Sequence, residues 1–285
     1  MIQKNTLITL AFIISLNIFS NQIDKLALPA GFNIDIFAEN LLSPRQITET
    51  KDGYVIVGSK NGDKIYALFD KDKDGFAEER YTIASSLKNP TGVTYHNGDL
   101  YFSEIEVIWV IKEIDLWLQS NKKSTPNKEL FINNLPPETW HGFRHIRFGP
   151  DDKLYLPIGV PCNVCIEPQT KDRRFAAIHR YENGELVMVA EGVRNSVGID
   201  WHPDTKNLYF SDNGRDWLGD NTPSCELNVV TKDGSFYGFP YKHAKDVIDP
   251  EFGQLIPSLN MDFIDPIAEL GPHVAPLGIE FYDGK

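Results

Sequence analysis

Four stretches of the chain hold residues whose types and spacing could do chemistry. The first is Trp140-His141-Gly142-Phe143-Arg144-His145-Ile146-Arg147-Phe148-Gly149-Pro150-Asp151. A neutral imidazole can take a proton from a substrate hydroxyl, and His141, just ahead of an alternating strand, is placed for that role. A surface or structural histidine is the other reading, and His145 competes with it from within the strand. The second stretch is Gly192-Val193-Arg194-Asn195-Ser196-Val197-Gly198. Arg194 brings a planar fork of donors suited to carboxylates, and Asn195 brings both a donor and an acceptor; composition alone also allows a plain polar loop. The third runs Ser211-Asp212-Asn213-Gly214-Arg215-Asp216-Trp217-Leu218-Gly219-Asp220 and on to Ser224-Cys225-Glu226-Leu227-Asn228. Many oxygen donors near glycines suit a hard cation such as calcium, or simply a solvated acidic loop. The fourth is Asp70-Lys71-Asp72-Lys73-Asp74-Gly75. Asp70, Asp72 and Asp74 at alternate positions, followed by a glycine, match the start of an EF-hand-type calcium loop. Tyr81 stands where such a loop closes on a bidentate Glu, so an acidic hairpin turn is the alternative.

The elements that position these residues are read from repetition. A turn followed by an apolar-aromatic strand recurs at Asp52-Gly53-Tyr54-Val55, Asn97-Gly98-Asp99-Leu100-Tyr101, Asp151-Asp152-Lys153-Leu154-Tyr155 and Asp204-Thr205-Lys206-Asn207-Leu208-Tyr209. The period of about 50 residues lies within the range of propeller blades. An alternating strand precedes each later turn: Gly92–Tyr95, Ile146–Phe148 and Gly198–Trp201. Further strands are expected after the turns, at Lys64–Phe69 and Val107–Ile111. Four short strands per repeat make one blade. No long stretch shows sustained helical periodicity; the best helix candidate is Ile114–Gln119, a short insertion in the second repeat, and Gln119–Lys128 reads as a polar surface loop. Residues 241–272 show no blade pattern and read as a long insertion. A fifth repeat begins at Gly278-Ile279-Glu280-Phe281-Tyr282-Asp283-Gly284. The expectation is an all-β, six-bladed-type propeller over residues 25–285, with about four blades and the start of a fifth present, and therefore short of its C-terminal blades.

Composition narrows the partners. With 40 Asp and Glu against 28 Lys and Arg the formal charge is -12, which repels phosphate backbones and anionic lipid. Nucleic acid and stable membrane insertion are not expected. Lys4 precedes an apolar run from Leu7 to Phe19, too short to span a bilayer comfortably, so residues 1–24 read as a secretory signal peptide. Export makes Cys162 and Cys165 of Pro-Cys-Asn-Val-Cys a short local disulfide rather than a redox centre, leaving Cys225 as a free thiol.

Taken together these segments resemble the glucose/sorbosone dehydrogenase family, closest to its sorbosone dehydrogenase-like branch. The residues carrying the resemblance are His141 with Phe148-Gly149-Pro150-Asp151, Pro161–Cys165, Val193–Gly198, Asp212–Asp216, Glu226-Leu227-Asn228, Tyr237-Gly238-Phe239-Pro240 and Gly271-Pro272-His273-Val274-Ala275. The resemblance runs from about Leu28 to the end. It implies a periplasmic or secreted six-bladed propeller that binds pyrroloquinoline quinone and calcium, oxidises a sugar or sugar aldehyde, and passes electrons to a periplasmic acceptor. It further implies His141 as general base, Arg194 and Asn195 at the cofactor, and calcium held by backbone oxygens of Gly214 and Arg215. Cys225 stands where the family often has Asp. Two other readings remain: a non-catalytic propeller binding module, and a calcium-dependent lactonase-like hydrolase using Asn195 and Asp212.

Overall fold

Apolar residues alternate along the repeats, and most turns between strands fall at a Gly, Asn or Asp, so the repeats fold as antiparallel meanders. The computed structural model describes Ile23 and residues 25–122 and 124–282; the leader expected over 1–24 otherwise lies outside the described residues. The first sheet is β1 (Pro44–Glu49), β2 (Val55–Ser59), β3 (Ile65–Phe69) and β4 (Glu79–Ala84), paired in that order. The second is β5 (Val93–His96), β6 (Asp99–Ser103), β7 (Ile108–Ile111) and β8 (Glu129–Ile132). The third is β9 (Arg147–Phe148), β10 (Leu154–Ile158), β11 (Ala177–Glu182) and β12 (Glu185–Glu191). The fourth is β13 (Gly198–Trp201), β14 (Leu208–Asp212) and β15 (Ser224–Val230). These sheets form a four-blade β-propeller arrangement, and the protein is all-β. The helix expected over Ile114–Gln119 forms there, as α1.

Pairings just before and within the long segment were not anticipated. Ser235–Phe236 (β16) adds to the outer edge of the third sheet, parallel to β12. Within residues 241–272, Lys242–His243 (β17) pairs with Val247–Ile248 (β18), and Ala268–Pro272 (β19) closes the fourth sheet against β15. That stretch is therefore not wholly an insertion. None of the residues of its edge strand is buried, so the strand carries no apolar–polar alternation to read.

The hairpins follow turn chemistry. Asn97-Gly98 and Asn183-Gly184 are two-residue connections with φ of 51°, 88°, 52° and 86°, the backbone that a type I′ hairpin demands. The core lies between sheets rather than within one. Leu100 and Phe102 of β6 pack toward Ile56 and Ile65, while Tyr101 between them packs toward Leu154 and Leu156. Tyr155 in turn faces Ile199 and Phe210 of the fourth sheet. Second strands buried on both faces explain why an aromatic recurs at the same place in each repeat.

One joint repeats from sheet to sheet. The carbonyl just ahead of the next sheet's first strand is held by the second strand of the previous one or by the loop that follows it. Ser59 N donates to Pro90 O (2.7 Å), Ser103 Oγ to Arg144 O (2.8 Å), Val160 N to Arg194 O (3.0 Å) and Ser211 Oγ to Leu277 O (2.8 Å). A glycine makes room at three of these joints: a Cβ on Gly58, Gly92 or Gly198 would lie 2.3, 2.2 or 2.0 Å from a backbone oxygen of the neighbouring repeat. Residues 277–281 form no strand among the described residues, yet they occupy this same joint. Phe281 N donates to Asp200 Oδ2 (2.6 Å), and the Phe281 ring meets Tyr209 edge-on. The innermost strands and residues 277–280 surround an axial cavity of ≈ 740 Å³.

Candidate functional site

The loops that enter the innermost strands gather at one end of the axis. There His141, Arg194, Asn195, Asn213, Gly214, Arg215, Asp216, Pro223, Cys225, His273 and Ala275 line a second cavity, of ≈ 250 Å³. Five of the residues singled out from the sequence thus share one pocket: His141, Arg194, Asn195, Gly214 and Arg215. Asp70, Asp72 and Asp74 do not join them. They sit in the turn between β3 and β4, where their carboxylates and that of Glu78 lie within 4.8 Å of one another. Asp70 there accepts from the backbone N–H groups of Lys73 and Gly75.

His141 is held in a left-handed backbone conformation (φ 55°), which turns its ring toward Gly159 and Val160. Its Nδ1 lies 2.6 Å from Val160 O. A carbonyl only accepts, so Nδ1 carries the proton and Nε2 is left as the acceptor of the neutral ring. Burial, aided by the Arg194 charge, pushes the His141 pKa down to about 4, so the ring is neutral across the physiological range.

Arg194 is almost wholly buried, and burial lowers its pKa. Its guanidinium donates from Nε to Asn163 O (2.8 Å), from Nη2 to Asn163 Oδ1 (3.0 Å) and from Nη1 to Asn213 O (3.0 Å). The Asp216 carboxylate stands 3.8 Å from Nη2. Three of the five guanidinium N–H groups are spent in this way. The loop carrying Arg194 is fixed from beneath by Asp212, the last residue of β14. Its two carboxylate oxygens take the backbone N–H groups of Arg194 (2.8 Å) and Asn195 (2.6 Å). Burial pushes Asp212 up to about 6, against those hydrogen bonds.

Asn163, between the bonded Cys162 and Cys165, holds the pocket together. Besides its two contacts with Arg194, its Oδ1 accepts from Asp216 N (2.8 Å) and its Nδ2 donates to Asp216 O (3.0 Å). Arg215 is turned away into an ion pair with buried Asp249 (2.5 Å), which also meets His243 Nε2 at 2.9 Å. Those two partners and two backbone N–H groups hold the Asp249 carboxyl well below its usual range in spite of burial. At Gly214 a Cβ would come 3.1 Å from Ser224 O and 3.5 Å from Pro223 O, so glycine keeps an oxygen-rich recess open. Next to Cys225, Glu226 is buried against Asp212 and pushed up to about 7. The supporting residues Asn163 and Asp249 had no role assigned from the sequence, and Asp212, offered there only as a metal ligand of the lactonase-like reading, instead anchors the Arg194 loop. The tight Cys-x-x-Cys loop was the available signal for Asn163, and for Asp212 its place at the end of a strand entering the pocket.

Known proteins agree with this architecture. A family model described as a domain of unknown function, DUF7133, matches residues 23–235. The chain belongs to the DUF7133 family. The match takes in every pocket residue except His273 and Ala275. This DUF7133 chain is also 39% identical over 289 residues to an uncharacterized protein of Borreliella burgdorferi, covering 98% of this chain and 73% of that protein. Among solved structures it is similar to the iodide structure of a Trichoderma reesei carbohydrate-active enzyme of family AA12 (TM-score 0.73, 20% identity, 90% of this chain and 74% of that one). It is similar, too, to the holo form of the pyranose dehydrogenase PQQ domain from Coprinopsis cinerea (0.69, 16%, 86% and 69%). A third is the PQQ-bound aldose sugar dehydrogenase of Streptomyces coelicolor (0.62, 20%, 90% and 77%). At these identities the likeness is one of fold. The glucose/sorbosone dehydrogenase resemblance read from the motifs is thus met by a shared fold, while the family is DUF7133. Among the described residues no helix is long and apolar enough to cross a membrane.

Proposed function

We propose that this protein is a pyrroloquinoline quinone-dependent dehydrogenase of a sugar or sugar aldehyde, of the aldose or sorbosone type, on a six-bladed propeller plan. The observation that carries the reading is the His141–Val160 hydrogen bond, which leaves a neutral ring with Nε2 as its acceptor in a pocket shared with Arg194 and Asn195. His141 Nε2 takes the proton of the substrate hydroxyl, and Nδ1 stays anchored on the carbonyl, so the ring keeps its aim as it becomes charged. Arg194, with guanidinium N–H groups beyond the three spent on Asn163 and Asn213, and Asn195 would hold the carboxylates of the quinone. The quinone, when bound, supplies the hydride acceptor. Backbone oxygens of Gly214 and Arg215, in the recess that only glycine leaves open, would hold calcium as a Lewis acid. The Cys162–Cys165 disulfide supports an exported protein that delivers electrons to a periplasmic or extracellular acceptor.

Protein supplied with the quinone and calcium should reduce a dye acceptor with an aldose or sorbosone as substrate. His141→Ala should lower that rate by about 100-fold or more. No dye reduction with any aldose, together with an unchanged quinone absorbance, would reject the reading. Cys225 in the pocket wall, at a place where relatives of this type often carry a carboxylate, favours a second reading: a propeller that binds the quinone without turning over. A spectral change on quinone addition without dye reduction would decide for it.

A further inference from the structure

The axial cavity holds charge that no group among the described residues answers. The chain has nine arginines, and eight of them donate to a carboxylate or a carbonyl. The ninth is Arg45, near the start of β1. It lines the axial cavity, is half-buried, and has no hydrogen bond or ion pair among the described residues. Burial lowers its pKa and no neighbouring carboxylate offsets the effect. His145 lines the same cavity, and its Nε2 is buried without a partner. The two are brought together by the residues beside them. Gln46 Nε2 donates to Ile146 O (2.7 Å), and Ile146 N donates to Gln46 Oε1 (3.2 Å). This two-bond clamp across the axis ties the residue after Arg45 to the residue after His145.

The other charges lining the cavity do not supply the missing counter-charge. Glu280 is taken by Arg147 in a paired contact (2.6 and 2.8 Å), and Arg147 also meets Asp200, at 3.1 Å. Glu49 lies four residues along the same strand from Arg45, about 13 Å away at strand rise. Burial and the charges of Arg147 and Arg45 push His145 down to about 3, so it presents a neutral ring. Water can solvate the exposed part of the guanidinium, but it supplies no counter-charge to the part that lines the cavity.

We propose that the axial cavity contains a second binding site, for a compact oxyanion, seated between the guanidinium of Arg45 and the imidazole of His145. The planar fork of Arg45 takes two oxygens of a carboxylate or phosphate, and the neutral imidazole donates one hydrogen bond to it. The cavity volume of ≈ 740 Å³ leaves room for the remainder of a small polar molecule. This site shares no residue with the His141 pocket, so it stands or falls apart from the proposed dehydrogenase activity.

The test is a titration of sodium phosphate and, separately, sodium acetate at constant ionic strength. The readouts are the melting temperature and the NMR chemical shifts of the His145 imidazole. Wild-type protein should show a saturable response to at least one anion: phosphate alone identifies a phosphate-bearing ligand, acetate alone a carboxylate. Arg45→Gln and His145→Asn should each weaken that response about tenfold or more, while His141→Ala should leave it intact. Should Arg45→Gln fail to fold by circular dichroism, His145→Asn and the wild-type imidazole shifts decide. The absence of a saturable response to either anion would overturn the proposal, as would an undiminished response in folded Arg45→Gln or in His145→Asn.

Discussion

Arg194 is charged and nearly excluded from water, and its charge is met mainly by oxygen dipoles of Asn163 and Asn213 rather than by a contacting carboxylate. An arrangement of this kind is sensitive to its neutral partners, because removing one strands part of a buried charge. Asn163→Ala should therefore cost about 2–4 kcal/mol in urea denaturation, and Asn163→Asp, which keeps the acceptor, should recover part of that. Glu226 makes a second residue-scale prediction. Its folded pKa of about 7 lies above the ordinary 4.5, so the folded state holds the proton more tightly. The associated stability is fully present below pH 4.5 and is lost as pH rises through 7. His141 acts in the opposite sense: with its pKa lowered to about 4, it destabilises the fold as pH drops from 6.5 toward 4. Between pH 6.5 and 8, then, Glu226→Gln should lose less stability than wild type, as read from urea midpoints at several pH values. At this scale the sequence offered residue types but not their partners. A histidine ahead of a strand and an Arg-Asn pair were visible as candidates. That Val160 O orients one and Asn163 accepts from the other depends on loops 19 and 31 residues away.

Elements here are joined edge-on, by a backbone carbonyl set into the gap beside a glycine. Gly92 tests that joint between the second and third sheets. A Cβ there would lie 2.2 Å from Arg144 O and 2.7 Å from Ser103 Oγ. The carbonyl is main chain and Ser103 is committed to it, so the second and third sheets would have to move apart. Gly92→Ala should cost about 2–3 kcal/mol by denaturant unfolding. Because Arg144 leads into the strand after His141, the same variant should also weaken any ligand response of the His141 pocket. Strands whose faces are both buried were legible, since apolar residues and turn formers delimit them: Gly198–Trp201 and the helix Ile114–Gln119 stand where the sequence places them. Ala268–Pro272 was not legible. An edge strand with no buried residue, and containing Gly and Pro, is selected by its partner β15, and its own side chains carry no pattern.

Across the whole molecule, stability resides in the layers between successive sheets. Phe210 lies fully buried in the layer between the third and fourth sheets, edge-on to Tyr237 at 4.9 Å. Phe210→Ala should cost about 3–5 kcal/mol in urea or thermal unfolding. The layered plan was readable because the period of about 50 residues survives in the turns. The convergence of residues 141, 194 and 214 was readable only by way of that plan, since they come from different repeats. The acidic turn at Asp70 had an equally good local pattern, but the same plan carries it to the β3–β4 connection, away from both cavities. The glycine-lined joints have a further consequence, for how such a chain can diverge. Their contacts are written in main-chain atoms, so most outward-facing side chains can be exchanged over generations without shifting one sheet against the next. A protein hinged in this way can keep 20% of its residues in common with a distant fungal enzyme and still superpose on it with a TM-score of 0.73.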